Sequence, residues 1–194
     1  MKYDSMPMPF KYVDSIEEKQ HIVLFYEEPE YARLIEFCFI KNGLMRGEQC
    51  LYATDEDSGS IVLKFLSYGI PLDYFVTRKL RVIQLRETLG GREQILAKSK
   101  KDLDDMLCGL LPPFRIVARM IPDVSTVDGI LAELELEKSA QHHFDDLCGS
   151  IMYPYDLSKI EKTNKKEWLE ELRSSHHVSI YAPRFGEGGV FCCC

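Results

Sequence analysis

Apolar positions along the chain fall into two alternating patterns. Short runs rich in β-branched and aromatic residues, at His21–Tyr26, Gln49–Thr54, Leu80–Leu85, Phe114–Ile121, Ser150–Tyr155 and His177–Tyr181, read as strands. Between them lie longer stretches whose apolar residues recur every three or four positions. These predict helices over Glu30–Met45, Gly59–Tyr68, Arg92–Leu111, Val127–Leu147 and Lys165–Ser175. Punctuation agrees. Pro29 suits a first helical turn, Asp55-Glu56-Asp57-Ser58 suits a capping loop, and Gly43, Gly47, Gly69, Pro112-Pro113 and Gly149 suit element ends. Strands alternating with helices predict an α/β fold of three layers, a mainly parallel sheet with helices on both faces. Ligands in such sheets bind beyond the carboxyl ends of strands. That directs attention to Tyr26–Glu28, Thr54–Asp57, Leu85–Glu87, Met120–Asp123 and Tyr153–Asp156.

The periodic pattern occupies residues 20–183, one domain. Residues 1–19 carry mixed charge and two prolines and read as a loosely packed arm. Residues 184–194 lack periodicity, contain three glycines and end in Cys192-Cys193-Cys194, which predicts a flexible tail.

Composition narrows the function classes. The 194 residues hold 24 Lys+Arg against 31 Asp+Glu, a formal charge of −7, which disfavours direct binding of nucleic acid or anionic membranes. No apolar run approaches a membrane span, and Met1–Phe10 has no signal-like core, so a cytoplasmic protein is expected. Thiols rather than disulfides are then expected from the seven cysteines. Catalytic signatures such as Gly-x-Ser-x-Gly or His-Glu-x-x-His are missing, and the carboxylates show no informative spacing, so neither an enzyme nor a cofactor is expected.

Each candidate side chain has a plain reading beside a functional one. His21 opens the first strand, where it serves either a ligand or a backbone carbonyl. Tyr26, at the strand's other end, offers an apolar wall with a polar tip; the neighbouring Glu27 and Glu28 read as solvated charges at a helix start. Arg119 sits in an apolar strand and needs either an anionic ligand or an internal partner, for which Glu133, Glu135 and Glu137 are the candidates. Tyr153, Tyr155 and Asp156 close the fifth strand as a pocket wall or as packing. Metal binding by the core is not expected. There is no Cys-x2-Cys pair, and the pairs His142-His143 and His176-His177 point their side chains apart. Cys192, Cys193 and Cys194 are the alternative, a soft-metal or redox site.

Two resemblances sharpen this picture. The stretch Phe39-Ile-Lys-Asn-Gly-Leu-Met-Arg-Gly-Glu48 followed by Gln-Cys-Leu-Tyr-Ala-Thr54 resembles a helix–strand unit of RecA/KaiC-type ATPases, which implies a RecA/KaiC-like, Rossmann-like core. The phosphate loop of those enzymes is replaced here by Tyr26-Glu-Glu-Pro-Glu-Tyr31, with no glycine or lysine and three carboxylates. ATP hydrolysis through a P-loop is therefore not expected. More extensively, His21-Ile-Val-Leu-Phe-Tyr-Glu-Glu28, the Gly43…Gly47-Glu48 turn, Tyr155-Asp156-Leu157 and Leu172…Ser175-His176 resemble the MEDS domain, the methanogen/methylotroph DcmR-type sensory domain, across roughly Lys19 to Ala182. The resemblance implies a cytoplasmic sensory module for small organic molecules, one-carbon, halogenated or methylated. Its output passes through a separate signalling or transcription-regulating protein, since no length remains for an effector domain; self-association stays open. The chain departs from the family pattern at Met152-Tyr-Pro-Tyr155, where a cysteine close before the Tyr-Asp pair would be expected. Two other readings stand beside the sensor: a thiol redox or soft-metal protein using the terminal cysteines, and a degenerate RecA-like interaction scaffold.

Overall fold

The computed structural model describes residues 6–86, 90–119 and 122–192. The first strand, β1 (His21–Tyr26), is buried along its whole length. It is followed by α2 (Pro29–Met45), β2 (Gln49–Thr54), α3 (Ser58–Ser67), a single turn α4 (Asp73–Val76) and β3 (Leu80–Gln84). Then come α5 (Arg92–Leu107), β4 (Phe114–Ala118), α6 (Val127–His142), β5 (Gly149–Asp156), α7 (Lys165–Ser174), β6 (Val178–Ala182) and β7 (Gly189–Cys192). A helix α1 (Met8–Ser15) precedes them all.

The strands form one sheet in the order β3-β2-β4-β5-β1-β6-β7, parallel except for β7. Alternation along each strand sends side chains to opposite faces. Ile22, Leu24 and Tyr26 of β1 join Tyr31, Ile35 and Phe39 of α2 and Val13 of α1 on one face. Val23 and Phe25 join Ile130 and Leu134 of α6 and Trp168 and Leu172 of α7 on the other. Met106 of α5 covers Leu51, Ile116 and Ile151 beside them. The fold is the expected three-layer α/β arrangement.

Local chemistry sets the element ends. Pro29 lies in the first turn of α2, where its missing N–H costs nothing, and Gly47 after its last turn takes φ +84, a conformation that favours glycine. Gly149 opens β5 where a Cβ would stand 2.2 Å from the Phe114 carbonyl oxygen. Asp57 caps α3 by accepting from the Ser60 N–H at 2.8 Å. Thr126 caps α6 by accepting from the Gly129 N–H at 3.1 Å and donates to the Asp123 carbonyl at 3.0 Å. Replacing Thr126 with alanine removes both contacts and is expected to cost about 1 kcal/mol, read as a lower urea midpoint at unchanged slope.

Three expectations are corrected. The arm at 1–19 is not loose over its described part: Pro7 and Pro9 start a helix, and Val13 and Ile16 are buried against the core. The tail at 184–194 is not uniformly flexible, because Gly189–Cys192 pairs antiparallel with β6 as the edge strand, with Val190 packed on the core. Helices α5 and α6 are shorter than their apolar periodicity suggests. After Leu107 the chain turns at Gly109, with φ +71, and after His142 a 3-10 turn, Phe144–Asp146, buries Phe144 instead. The expected fourth strand ends at Ala118, and Met120 and Ile121 lie outside the described residues. Among the described residues no helix is long and apolar enough to cross a membrane.

Candidate functional site

The chain leaves β1 toward β2 on one side of the sheet and leaves β5 toward β6 on the other. The connections leaving β1 and β5 therefore part to opposite faces, although Tyr26 and Asp156 remain paired, and a crevice forms in such sheets where connections part. A cleft of about 570 Å³ opens there, and Tyr26, Arg119 and Asp156 line it together with Asp55, Gln84 and Lys159. Of the residues singled out from the sequence, these three come together at this end.

Arg119 is already satisfied from below. Its Nε donates to both oxygens of Glu36, at 3.0 and 2.9 Å, and its Nη2 to Oε1 at 2.5 Å. Its Nη1 donates to the Tyr26 hydroxyl at 3.1 Å. Glu36 is fully buried on α2 and also accepts from the Tyr52 hydroxyl at 2.5 Å. The partner of Arg119 is thus Glu36, not Glu133, Glu135 or Glu137. The α2 face lies across the sheet from α6, so no residue of α6 lies on the side to which Arg119 points. Burial alone would favour losing its proton, but Glu36 and the neighbouring tyrosines outweigh it and hold the guanidinium charged. Asp156 accepts from the Ser158 N–H and hydroxyl, at 2.9 and 2.6 Å, which folds the turn after β5.

The β1–α2 loop does not offer a phosphate cradle. The Glu27 and Glu28 N–H groups both donate to the Pro183 carbonyl, at 3.3 and 3.0 Å, and Glu28 accepts from the Phe185 N–H at 3.2 Å.

His21, Tyr153 and Tyr155 gather elsewhere, on the opposite face beneath α6. The sheet register places β1 beside β5, and the turn entering β6 brings His176 alongside His21. The two imidazoles stack with centroids 4.1 Å apart, and Tyr153 meets both edge-on, at 5.5 and 5.8 Å. Into this group α6 lowers a polar stripe at four-residue spacing: Glu133, Glu137 and Gln141. His21 Nδ1 lies 2.8 Å from Gln141 Oε1, and His176 Nδ1 donates to the Leu172 carbonyl at 2.7 Å. The Nε2 atoms of His21 and His176 face Glu137 Oε2 at 3.5 and 3.3 Å without a directed hydrogen bond, and all three atoms are buried. The Tyr155 hydroxyl stands 2.5 Å from Glu133 Oε1 and 2.6 Å from Glu137 Oε1.

The charge state of this cluster follows from its surroundings. Burial, then the neighbouring Glu137, pushes Glu133 well above the carboxylate range, so it is a neutral acid. Burial also acts to raise Glu137, but His176, His21 and Tyr155 together outweigh it and leave that carboxyl below its ordinary value. Burial pushes His176 down to about 4, with His21 adding to the effect and Glu137 opposing it. Glu137 is therefore the anion and Glu133 the neutral acid of the carboxyl pair under α6.

Beside the cluster, between α5 and α6, lies a cavity of about 250 Å³. Leu103, Leu107, Leu136, Ala140 and Ile151 supply apolar lining, and Tyr153, Glu133 and Glu137 line it from the cluster, with Ser99, Lys100, Ser139 and His143 also bordering it.

His176 stacks on His21 while the neighbouring His177 meets Phe144, so the adjacent pair does point apart, but the approach of His176 to His21 was not foreseen. Glu133, Glu137 and His176 were missed as site residues. The signal was present as carboxylates one helical turn apart on an otherwise apolar helix face, the spacing that brings i and i+4 together. Of the cysteine alternative, Cys192 is exposed on β7, while Cys193 and Cys194 lie outside the described residues.

No curated protein matches the chain. The family model described as MEDS, MEthanogen/methylotroph, DcmR Sensory domain, matches residues 20–177. Those bounds enclose β1 through the turn that carries His176, and with them both the carboxyl-end cleft and the cluster beneath α6. By that match over most of its length, the chain belongs to the MEDS family of sensory domains.

Proposed function

We propose that the chain is a non-enzymatic, cytoplasmic sensory module. It binds a small, weakly polar organic molecule, of one-carbon, halogenated or methylated type, in the cavity between α5 and α6. A separate signalling or transcription-regulating protein reads the result. The observation that carries this reading is the cavity itself, about 250 Å³, lined by Leu103, Leu107, Leu136, Ala140 and Ile151 together with the buried polar groups of Glu133, Glu137 and Tyr153. A small, weakly polar molecule gains from leaving water for such walls, and one or two hydrogen-bonding groups then fix its orientation. The carboxyl-end cleft is the poorer receptor for such a molecule, because charged side chains line it, among them Asp55, Arg119, Asp156 and Lys159.

Signalling requires that the ligand favour one arrangement of the protein over another. Helix α6 is the element placed to respond, because it forms one wall of the cavity and packs on α7 through Ile130 and Leu134 beside Trp168. Dichloromethane and methanol, titrated in turn while Trp168 fluorescence is followed, provide the test. At least one is expected to give a saturable change in the parent protein and none in Ala140→Phe, which fills the cavity. A flat response to both in a folded protein, or an undiminished response in Ala140→Phe, defeats the reading.

A further inference from the structure

The structure assigns a divalent metal site to His21, Glu137 and His176, occupied by a zinc-class ion bound through the two Nε2 atoms and Glu137 Oε2. One ligand atom from each residue lies within 4.8 Å of the others, and all three side chains are buried. The two carboxylate–imidazole separations, 3.3 and 3.5 Å, match the roughly 3.4 Å edge of a tetrahedron whose metal–ligand bonds are about 2.1 Å.

The hydrogen bonds around the group point to the same conclusion. The Leu172 carbonyl can only accept, so His176 Nδ1 carries the proton and its Nε2 presents a lone pair. Gln141 Oε1 places His21 in the same tautomer. Metal-bound histidines are held in this way by a partner on the other ring nitrogen. Two lone pairs and a carboxylate oxygen thus converge in a buried space with no hydrogen bond among them. A single proton can bridge Glu137 to one histidine and leaves the other facing an anion. A divalent cation satisfies all three atoms at once. The ligands are imidazole and carboxylate with no cysteine among them, which selects a borderline ion such as Zn²⁺ over soft Cu(I).

Three protein ligands leave a coordination position for an outside donor. Glu137 also borders the α5–α6 cavity, so the ion would be reached from there. The site itself stands on the geometry of the cluster and does not depend on the organic ligand proposed above.

The test uses the whole chain, stripped with a chelator and titrated with Co²⁺ and then Zn²⁺ without any organic ligand. One Co²⁺ per chain is expected, with visible absorption bands that one Zn²⁺ abolishes. His176→Gln and Glu137→Gln should each weaken binding about 100-fold or more, and Gln141→Ala, which frees only the His21 orientation, about 10- to 100-fold. His142→Gln, at the exposed end of α6, should leave binding unchanged. Should the ligand variants fail to fold, imidazole nitrogen spectra of the parent protein decide the matter. Zn²⁺ must shift the Nε2 resonances of His21 and His176 while both keep a protonated Nδ1. No stoichiometric Co²⁺ binding by the parent protein, binding unaffected in the ligand variants, or unmoved Nε2 resonances overturns the assignment.

Discussion

Replacing Arg119 with methionine is expected to destabilise the protein by about 3–5 kcal/mol, because it strands a buried carboxylate. Glu36 has no exposure, and Arg119 supplies its charge partner through three contacts, with Tyr52 as the remaining donor. Methionine keeps much of the volume and none of the charge. Exchanging the whole pair for apolar residues, as in Arg119→Met with Glu36→Leu, should recover most of the loss, since a buried ion pair contributes little net stability over a packed apolar substitute. Urea midpoints of the parent, the single variant and the double variant give the comparison. A loss below about 1 kcal/mol in the single variant would mean that Glu36 is not held as an anion. Arg119 would then regain its standing as a receptor for an anionic ligand. The expected outcome assigns it to holding α2 on the sheet behind the cleft.

The sequence made some of this legible and withheld the rest for identifiable reasons. The six parallel strands were readable because strands buried on both faces are continuous apolar runs, as in Ile22–Tyr26. Strand β7 was not. Gly189-Val-Phe-Cys192 is too short to show a period, and only its pairing with β6 makes it a strand. Helix α1 was hidden by Pro7 and Pro9, which break helices internally and yet favour their first turns. Tyr26 and Asp156 close β1 and β5 at their carboxyl ends, which was legible because that placement depends only on strand extent and direction. Pairing across the sheet is a different matter. That Arg119 meets Glu36 depends on which face its strand turns toward α2, and 83 positions separate the two. The convergence of His21 with His176 follows from β6 lying directly beside β1, which local pattern does not reveal. Glu133 and Glu137 were the exception. Their four-residue spacing on a face shared with Ile130 and Leu134 is a local sign of a buried polar stripe, and it is passed over when the carboxylates are read as uninformatively spaced.

That stripe gives the second large effect, which centres on the Tyr155 hydroxyl. Replacing Tyr155 with phenylalanine is expected to cost about 3 kcal/mol, near the upper range for deleting a hydrogen bond to a buried charged group. The hydroxyl lies between two carboxyl groups that are both almost fully buried. One hydroxyl proton can serve only one carboxyl, and Glu137 is the anion. The second proton of the array comes from Glu133, which burial and Glu137 together hold neutral. Tyr155 thereby relays a hydrogen bond from a neutral acid to a carboxylate. Burial, then Glu133 and Glu137, keeps its own hydroxyl protonated far above the usual tyrosine range. Phenylalanine preserves the ring's packing against Phe25, 6.1 Å away, so the loss measures the hydroxyl and not the core. Glu133→Gln is the informative companion. It keeps a neutral group beside Tyr155 and should cost far less than Tyr155→Phe in urea unfolding at neutral pH. If the order is reversed, Glu133 is the anion of the pair, and the arrangement of charge beneath α6 must be redrawn with Glu137 as the acid.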